Sequence, residues 1–151
     1  MNITPEELKE RMDQFKKALK GSKVKLTHQR LEIFKEVAKS INHPDAADIF
    51  KGVRKRVPTI SLDTVYRTLW MLFDMGIITI LGINQKKTRF DANMKAHHHF
   101  VCSRCGKILD FYSEEFDRLK VPDNAKAIGN VQSTQVVVKG NCVQCLKKIK
   151  N

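Results

Sequence analysis

The stretch SLDTVYRTLWMLFDMG, residues 61–76, decides how the chain is read. Serine is a residue type whose hydroxyl accepts from first-turn amides, so Ser61 opens a helix over Leu62 to Met75. Leu62, Val65, Leu69, Leu72 and Phe73 recur at helical spacing and predict one apolar stripe, with Gly76 as the stop. The opposite face then carries Thr64, Arg67, Thr68 and Met71, with Tyr66 at its edge and Trp70 assigned to packing. Two β-rich runs follow, Ile77 to Leu81 and Thr88 to Asp91, separated by the turn-like Gly82 to Lys87. A helix with one polar face followed by a hairpin is half of a winged helix.

Upstream residues supply the other half. Thr4 to Glu7 reads as a capping box with Pro5 at the first helical position, which predicts a helix from Pro5 to Leu19 that ends before Gly21. Thr27 caps a second helix in which Leu31, Ile33, Phe34, Val37 and Ala38 repeat at helical spacing. The loop Ile41 to Pro44 leads into a third helix with Ala47, Ile49, Phe50 and Val53 as its core positions, stopped before Pro58.

Downstream the texture changes. From Asn93 onward the chain offers strand-like runs at His98 to Cys102, Lys107 to Tyr112 and Val131 to Lys139, with a short helix at Ser113 to Leu119. The expected architecture is therefore α+β: a winged helix-turn-helix domain with its hinge at residues 1–92 and a smaller α/β domain at residues 93–151.

The 151 residues carry a net charge of +12, and 42% of them are apolar, enough for ordered cores. Clustered cations near phosphates release condensed counterions, so a polyanionic partner is expected, nucleic acid first. Both halves are basic, so charge does not locate the binding face. No apolar run approaches the length of a bilayer span, and the N-terminus lacks a basic and apolar leader, so no membrane partner and a cytoplasmic location are expected.

All four cysteines lie in the second half, as Cys102-Ser-Arg-Cys105 and Cys142-Val-Gln-Cys145. Two such pairs suit a tetrahedral thiolate site for structural Zn2+, with four protein ligands and no open position. The 36 residues between the pairs mean that the metal would staple distant parts of one domain. Disulfides and a redox pair of the thioredoxin type are the alternatives; disulfides do not fit a reducing compartment, and the redox pair ranks below them. Gly106 fits the tight turn that lets backbone amides approach the sulfurs.

Four of the five histidines fall at His43 and in the run His97, His98, His99. On a strand His97 and His99 share one face and His98 takes the other. Asp91 precedes the run and Asp110 follows the first cysteine pair, and an imidazole-plus-carboxylate shell suits Fe2+, Mn2+ or Zn2+. Residue types alone leave open a helix cap at His43 and a solvated histidine turn.

Together these residues resemble the ferric uptake regulator (Fur) family over nearly the whole chain. The segments that carry the resemblance are Leu26 to Arg30, His43 to Asp48, Ser61 to Arg67, Arg89 to Asp91, His97 to Cys102, Cys105 to Asp110 and Cys142 to Cys145. The resemblance implies an N-terminal winged helix, a C-terminal dimerisation domain with the zinc site, and a homodimer that represses genes by binding double-stranded operator DNA. By position, it implies regulatory ligands at His43, Asp91, His97, His99 and Asp110. Aspartate at both 91 and 110 is similar to the peroxide-sensing branch, PerR, in which Fe2+ reacts with hydrogen peroxide and a histidine ligand, here His43 or His97, is oxidised. Lys25 resembles the family's minor-groove lysine, while Tyr66 and Arg67, with Thr64 and Thr68, fall on the helix that reads bases.

Three departures from the pattern stand out. Ala96 and Thr134 replace ligands of an additional metal site, which implies its absence although His98 and Asp117 remain. The Tyr66-Arg67 pair looks more like iron-uptake regulators, so control of iron, manganese or zinc uptake with the metal as simple co-repressor is the alternative function. His28 stands where proline is frequent. An enzyme is disfavoured because five protein ligands leave little room for substrate and no H-E-x-x-H or nucleophile motif occurs. An RNA-binding module is disfavoured because no aromatic stacking platform is visible.

Overall fold

The computed structural model describes residues 3–82 and 87–149, and the chain divides into a unit over Met1–Met94 and a unit over Lys95–Asn151. The division falls two residues beyond the expected 92.

The first unit begins with α1, Pro5–Lys20, whose capping box closes as Glu7 N to Thr4 Oγ1 at 3.2 Å and Thr4 N to a Glu7 carboxylate oxygen at 3.0 Å. Phe15 of α1 stacks on Phe34 of α2, His28–Ala38, with ring centroids 4.3 Å apart. Thr27 caps α2, and Asp45 caps α3, Ala46–Arg54, with Asp48 returning the bond. In α3 it is Ala46, not the expected Ala47, that is buried with Ile49 and Val53, because positions i, i+3 and i+7 share one helix face and Ala47 falls outside it.

Helix α4, Leu62–Asp74, is capped by Ser61 as expected. It ends in a Schellman motif: Gly76 has φ +68°, its N–H bonds to the Phe73 carbonyl at 2.8 Å, and the Ile77 N–H reaches Leu72 at 2.9 Å. The buried stripe differs from the expected one. It runs Val65, Thr68, Leu69, Leu72, the i, i+3, i+4, i+7 pattern, while Leu62 and Phe73 are 41% and 40% exposed. Trp70, expected in the core, is 48% exposed and meets Phe73 edge-on at 5.9 Å. The apolar character of α4 spreads wider than the face that the core accepts.

The hairpin is shorter than expected. Strands β1, Thr79–Leu81, and β2, Arg89–Asp91, pair antiparallel with Ile80 opposite Phe90. Ile77 and Ile78 are buried, but the chain there is completing the helix stop. Of the turn expected over Gly82 to Lys87, residues 83–86 lie outside the described residues.

The second unit is a three-stranded sheet in the order β4-β3-β5, formed by β3, His98–Cys102, β4, Ile108–Phe111, and β5, Val137–Gly140. β3 and β4 are antiparallel, while β3 and β5 are parallel. A parallel neighbour requires a crossover. It contains α5, Glu114–Asp117, capped by Ser113, and α6, Asp123–Lys126, which the sequence reading did not anticipate. Of the run Val131 to Lys139, only its end pairs with β3. A last helix, α7, Val143–Ile149, follows β5. Gly140 sits beside Cys102, and a Cβ there would come within 3.1 Å of the Phe100 ring, a tight contact that the ring would have to move to relieve.

Candidate metal centres and nucleic-acid face

The four cysteines come together within the second unit. Cys102 ends β3, Cys105 closes the turn after it, and Cys142 and Cys145 stand at the start of α7. Their sulfurs all lie within 4.8 Å of one another, and Cys105 Sγ is 3.8 Å from Cys142 Sγ. Tetrahedral bonds of about 2.3 Å to zinc place sulfurs about 3.8 Å apart, so the donor set is of the size and chemistry that ion takes. All four are thiols rather than disulfides. Gly106, at φ +70°, lets the chain fold back so that its N–H bonds to the Cys102 carbonyl at 2.9 Å.

Backbone amides surround Cys102. The Cys142 N–H donates to Cys102 Sγ at 3.3 Å, and with the Cys105 amide it draws the Cys102 thiol down to about 6. Burial and the neighbouring sulfurs push Cys145 up to about 12. Thiolate character therefore concentrates where amides stabilise it, and the cluster is poised to bind a soft dication.

The histidines and aspartates form two groups, one in each unit. In the first unit, His43 Nε2 lies 3.6 Å from Asp91 Oδ2, and both side chains are buried. His43 takes the left-handed conformation, φ +49°, just before Pro44, and Asp91 ends β2, where its Oδ1 accepts from Asn93 N at 2.8 Å.

In the second unit, His97 Nε2 and His99 Nε2 are 3.1 Å apart, His99 Nε2 is 3.3 Å from Asp110 Oδ1, and His97 Nε2 is 3.8 Å from it. Pairing explains the convergence: His99 stands directly opposite Asp110 across β3 and β4, and His97 lies two residues before His99 on the same face. A carbonyl can only accept, so the 2.7 Å contact of His97 Nδ1 with the Lys95 carbonyl places the proton on Nδ1 and leaves Nε2 as the ligand atom. Spacings near 3 Å between donors match neighbouring ligands around an ion with bonds of about 2.1 Å.

His98 points to the other face, as the alternation requires. Its ring packs on Phe111 and Phe116, its Nδ1 accepts from Val136 N at 3.3 Å, and Nε2 lies 3.2 Å from Asp117.

On α4 the expected DNA contacts divide. Tyr66 is 46% exposed, and the exposed Arg67 pairs with Asp63 one turn earlier at 2.8 Å. Thr64 shares a 2.8 Å hydrogen bond with Ser61. Thr68 is the correction: it is 5% exposed, because its spacing from Val65 and Leu72 turns it inward. Lys25 is exposed, and Arg30 holds its loop by donating to the Lys25 carbonyl. A groove between Thr27, Arg30, Thr64 and Arg67 lies open beside this face.

Two residues make contacts at the site although their sequence positions gave them no role. Arg89 donates to the His43 carbonyl at 3.1 Å, and Lys87 pairs with Asp45 at 2.8 Å. The only sequence signal was the position of Arg89 two residues before Asp91.

No helix among the described residues is long and apolar enough to cross a membrane. The sequence description of the ferric uptake regulator family matches residues 21–138. A peroxide-responsive repressor, PerR, from Staphylococcus epidermidis is 30% identical over 128 residues, covering 85% of each chain. The structure of the Campylobacter jejuni peroxide stress regulator aligns over 89% of this chain and 98% of its own, with TM-score 0.65 and 29% identity. The Helicobacter pylori ferric uptake regulator shares the fold, with TM-score 0.71 at 22% identity over 92% of this chain and 93% of its own.

Proposed function

Because the chain belongs to the ferric uptake regulator family of metal-responsive transcriptional regulators, we propose that it is a homodimeric repressor whose operator binding requires a regulatory Fe2+ or Mn2+ and ends on reaction with hydrogen peroxide. Its relatives named as peroxide-responsive repressors support the finer part of this reading. Cys102, Cys105, Cys142 and Cys145 hold structural Zn2+. His43 and Asp91 from the DNA-binding unit join His97, His99 and Asp110 from the second unit on one regulatory ion.

The observation that carries the proposal is the pairing of nitrogen and oxygen donors in each unit, buried His43 with buried Asp91 and buried His99 with the partly buried Asp110. Imidazole and carboxylate donors accept Fe2+, Mn2+ or Zn2+, and a shell of five such donors without thiolate suits Fe2+ or Mn2+ better than the four-coordinate ion of the cysteine site. An ion held by both units binds one relative orientation better than others, and that difference shifts the population toward it. Two copies must set their α4 helices into major grooves a helical turn or a multiple of it apart, so DNA affinity follows orientation steeply. Arg67 then reads a guanine and Tyr66 a thymine methyl, while Lys25 enters an AT-rich minor groove.

Peroxide would end repression by damaging a ligand. One oxygen of H2O2 is added to the ring of His43 or His97 and the other leaves as water, so the peptide gains a single oxygen in mass and the site loses a donor. The test is a duplex selected from a random pool with Mn2+ present, titrated with the Fe2+ and Mn2+ forms before and after dilute peroxide. Loss of binding in the Fe2+ form alone, with one oxygen gained on the His43 or His97 peptide, is expected. Binding that survives peroxide in both forms rejects the peroxide reading and leaves metal-uptake control, which the exposed Tyr66-Arg67 pair favours.

A further inference from the structure

We propose that Arg89 is a positioning residue for the regulatory metal: its guanidinium fixes the backbone of the His43 loop and thereby aims the imidazole at Asp91. The proposal rests on the reading of His43 and Asp91 as ligands of that ion.

The geometry is local to the first unit. His43 is the one non-glycine residue with positive φ among the described residues, and a left-handed histidine persists only where its surroundings hold it. Its surroundings are β2. Arg89 Nη1 donates to the His43 carbonyl at 3.1 Å, Phe90 N donates to the Pro44 carbonyl at 3.0 Å, and Asp45 bridges antiparallel to Arg89. Lys87 closes the far end on Asp45 at 2.8 Å, while Asp45 also caps α3 through Asp48 N at 2.8 Å.

Residues 43–45 therefore lie along the edge of β2 that β1 does not use, since Phe90 also pairs with Ile80 of β1. Alternation places Arg89 and Asp91 on one face of the strand, with buried Phe90 anchoring the other. A single three-residue strand thus presents a cation to the backbone of His43 and a carboxylate to its ring. The arginine orients one ligand from the strand that supplies the other.

The test uses the full-length, zinc-loaded protein and Mn2+ as the probe. Arg89→Met keeps the aliphatic bulk and removes the donor. It is expected to lower Mn2+ affinity about tenfold, the effect of one charge-assisted hydrogen bond, and Arg89→Lys, which restores a donor, is expected to recover most of it. Because Arg89 acts through His43, Arg89→Met should produce no further loss in a His43→Ala background. A purely structural role would lower Mn2+ affinity equally in both backgrounds, and that result overturns the proposal. So does parental affinity in Arg89→Met when His43→Ala binds weakly, which leaves the ligand reading intact. Parental affinity in both single variants instead removes His43 from the site and takes the underlying reading with it. If the methionine variant does not fold, Arg89→Gln, which keeps only a neutral donor, carries the same comparison: a loss of about threefold that disappears in the His43→Ala background is expected, and parental affinity or a loss that persists in that background overturns the proposal.

Discussion

His99 and Asp110 are directly paired residues on β3 and β4, and Nε2 of the histidine lies 3.3 Å from Oδ1 of the aspartate. Register alone produces this contact, so the site geometry in the second unit is as rigid as the hydrogen-bonded ladder beneath it. Asp110→Asn preserves shape and removes the charge. It is expected to weaken Mn2+ binding by more than about tenfold while the zinc content of the cysteine cluster is unchanged, as measured by Mn2+ titration and elemental analysis. Equal loss of both metals would mean that the substitution disturbs the sheet rather than the ion.

His43 supplies a stability test independent of any metal. At φ +49° an L side chain is strained and glycine is not, so in the metal-free protein His43→Gly should be about 1 kcal/mol more stable than His43→Ala, the reverse of the usual order. Chemical denaturation of the two variants measures the difference. Alanine matching glycine would show that the loop relaxes out of that conformation.

Glu32 of α2 is held by Arg56, which also bonds Glu36 at 2.8 Å and so clamps α2 to the residues after α3. The Arg56 guanidinium lowers the Glu32 carboxyl below its ordinary 4.5. A depressed carboxyl contributes stability that is complete above 4.5 and is lost as pH falls through the folded-state value. Arg56→Met is expected to cost about 2 kcal/mol at neutral pH, below the figure for a fully enclosed pair because Arg56 is partly exposed. The gap between parent and variant should close on acidification below 4.5. A gap that stays constant down to strongly acidic pH would assign the loss to packing.

Trp70 is the chain's single tryptophan and lies one turn beyond Tyr66 on the exposed side of α4. Its emission in the free protein is expected to be that of hydrated indole, and operator DNA added with Mn2+ should change its intensity. Adding DNA without the metal should not. Emission unmoved by saturating operator would place DNA on another face of the unit.

Much of the fold was legible in the residues because its signals are local. Thr4, Thr27 and Ser61 announce helix starts by what their own hydroxyls can bond, and Gly76 announces a stop by the conformation it tolerates. Strand β3 was readable at both ends, and alternation separated His98 from His97 and His99. The paired cysteine spacing pointed to a thiolate cluster before any contact was known.

What depends on partners distant in sequence was decided only by tertiary structure. Periodicity marks α4 as amphipathic, yet Leu62, Thr68, Trp70 and Phe73 lie near the boundary of its stripe, and only the packing of α2 and α3 selects Thr68 for the interior and leaves Trp70 outside. Nothing local distinguishes Val137–Gly140 from the rest of its β-branched run, because what makes it a strand is the vacant edge of β3. The left-handed turn at His43 belongs to the same class: histidine does not choose it, and the hydrogen bonds of Arg89 and Phe90, over forty residues later, hold the loop against β2. Propensity and capping are set by neighbours a few residues away and so can be read from sequence, whereas faces, edges and registers are settled by whichever surfaces meet.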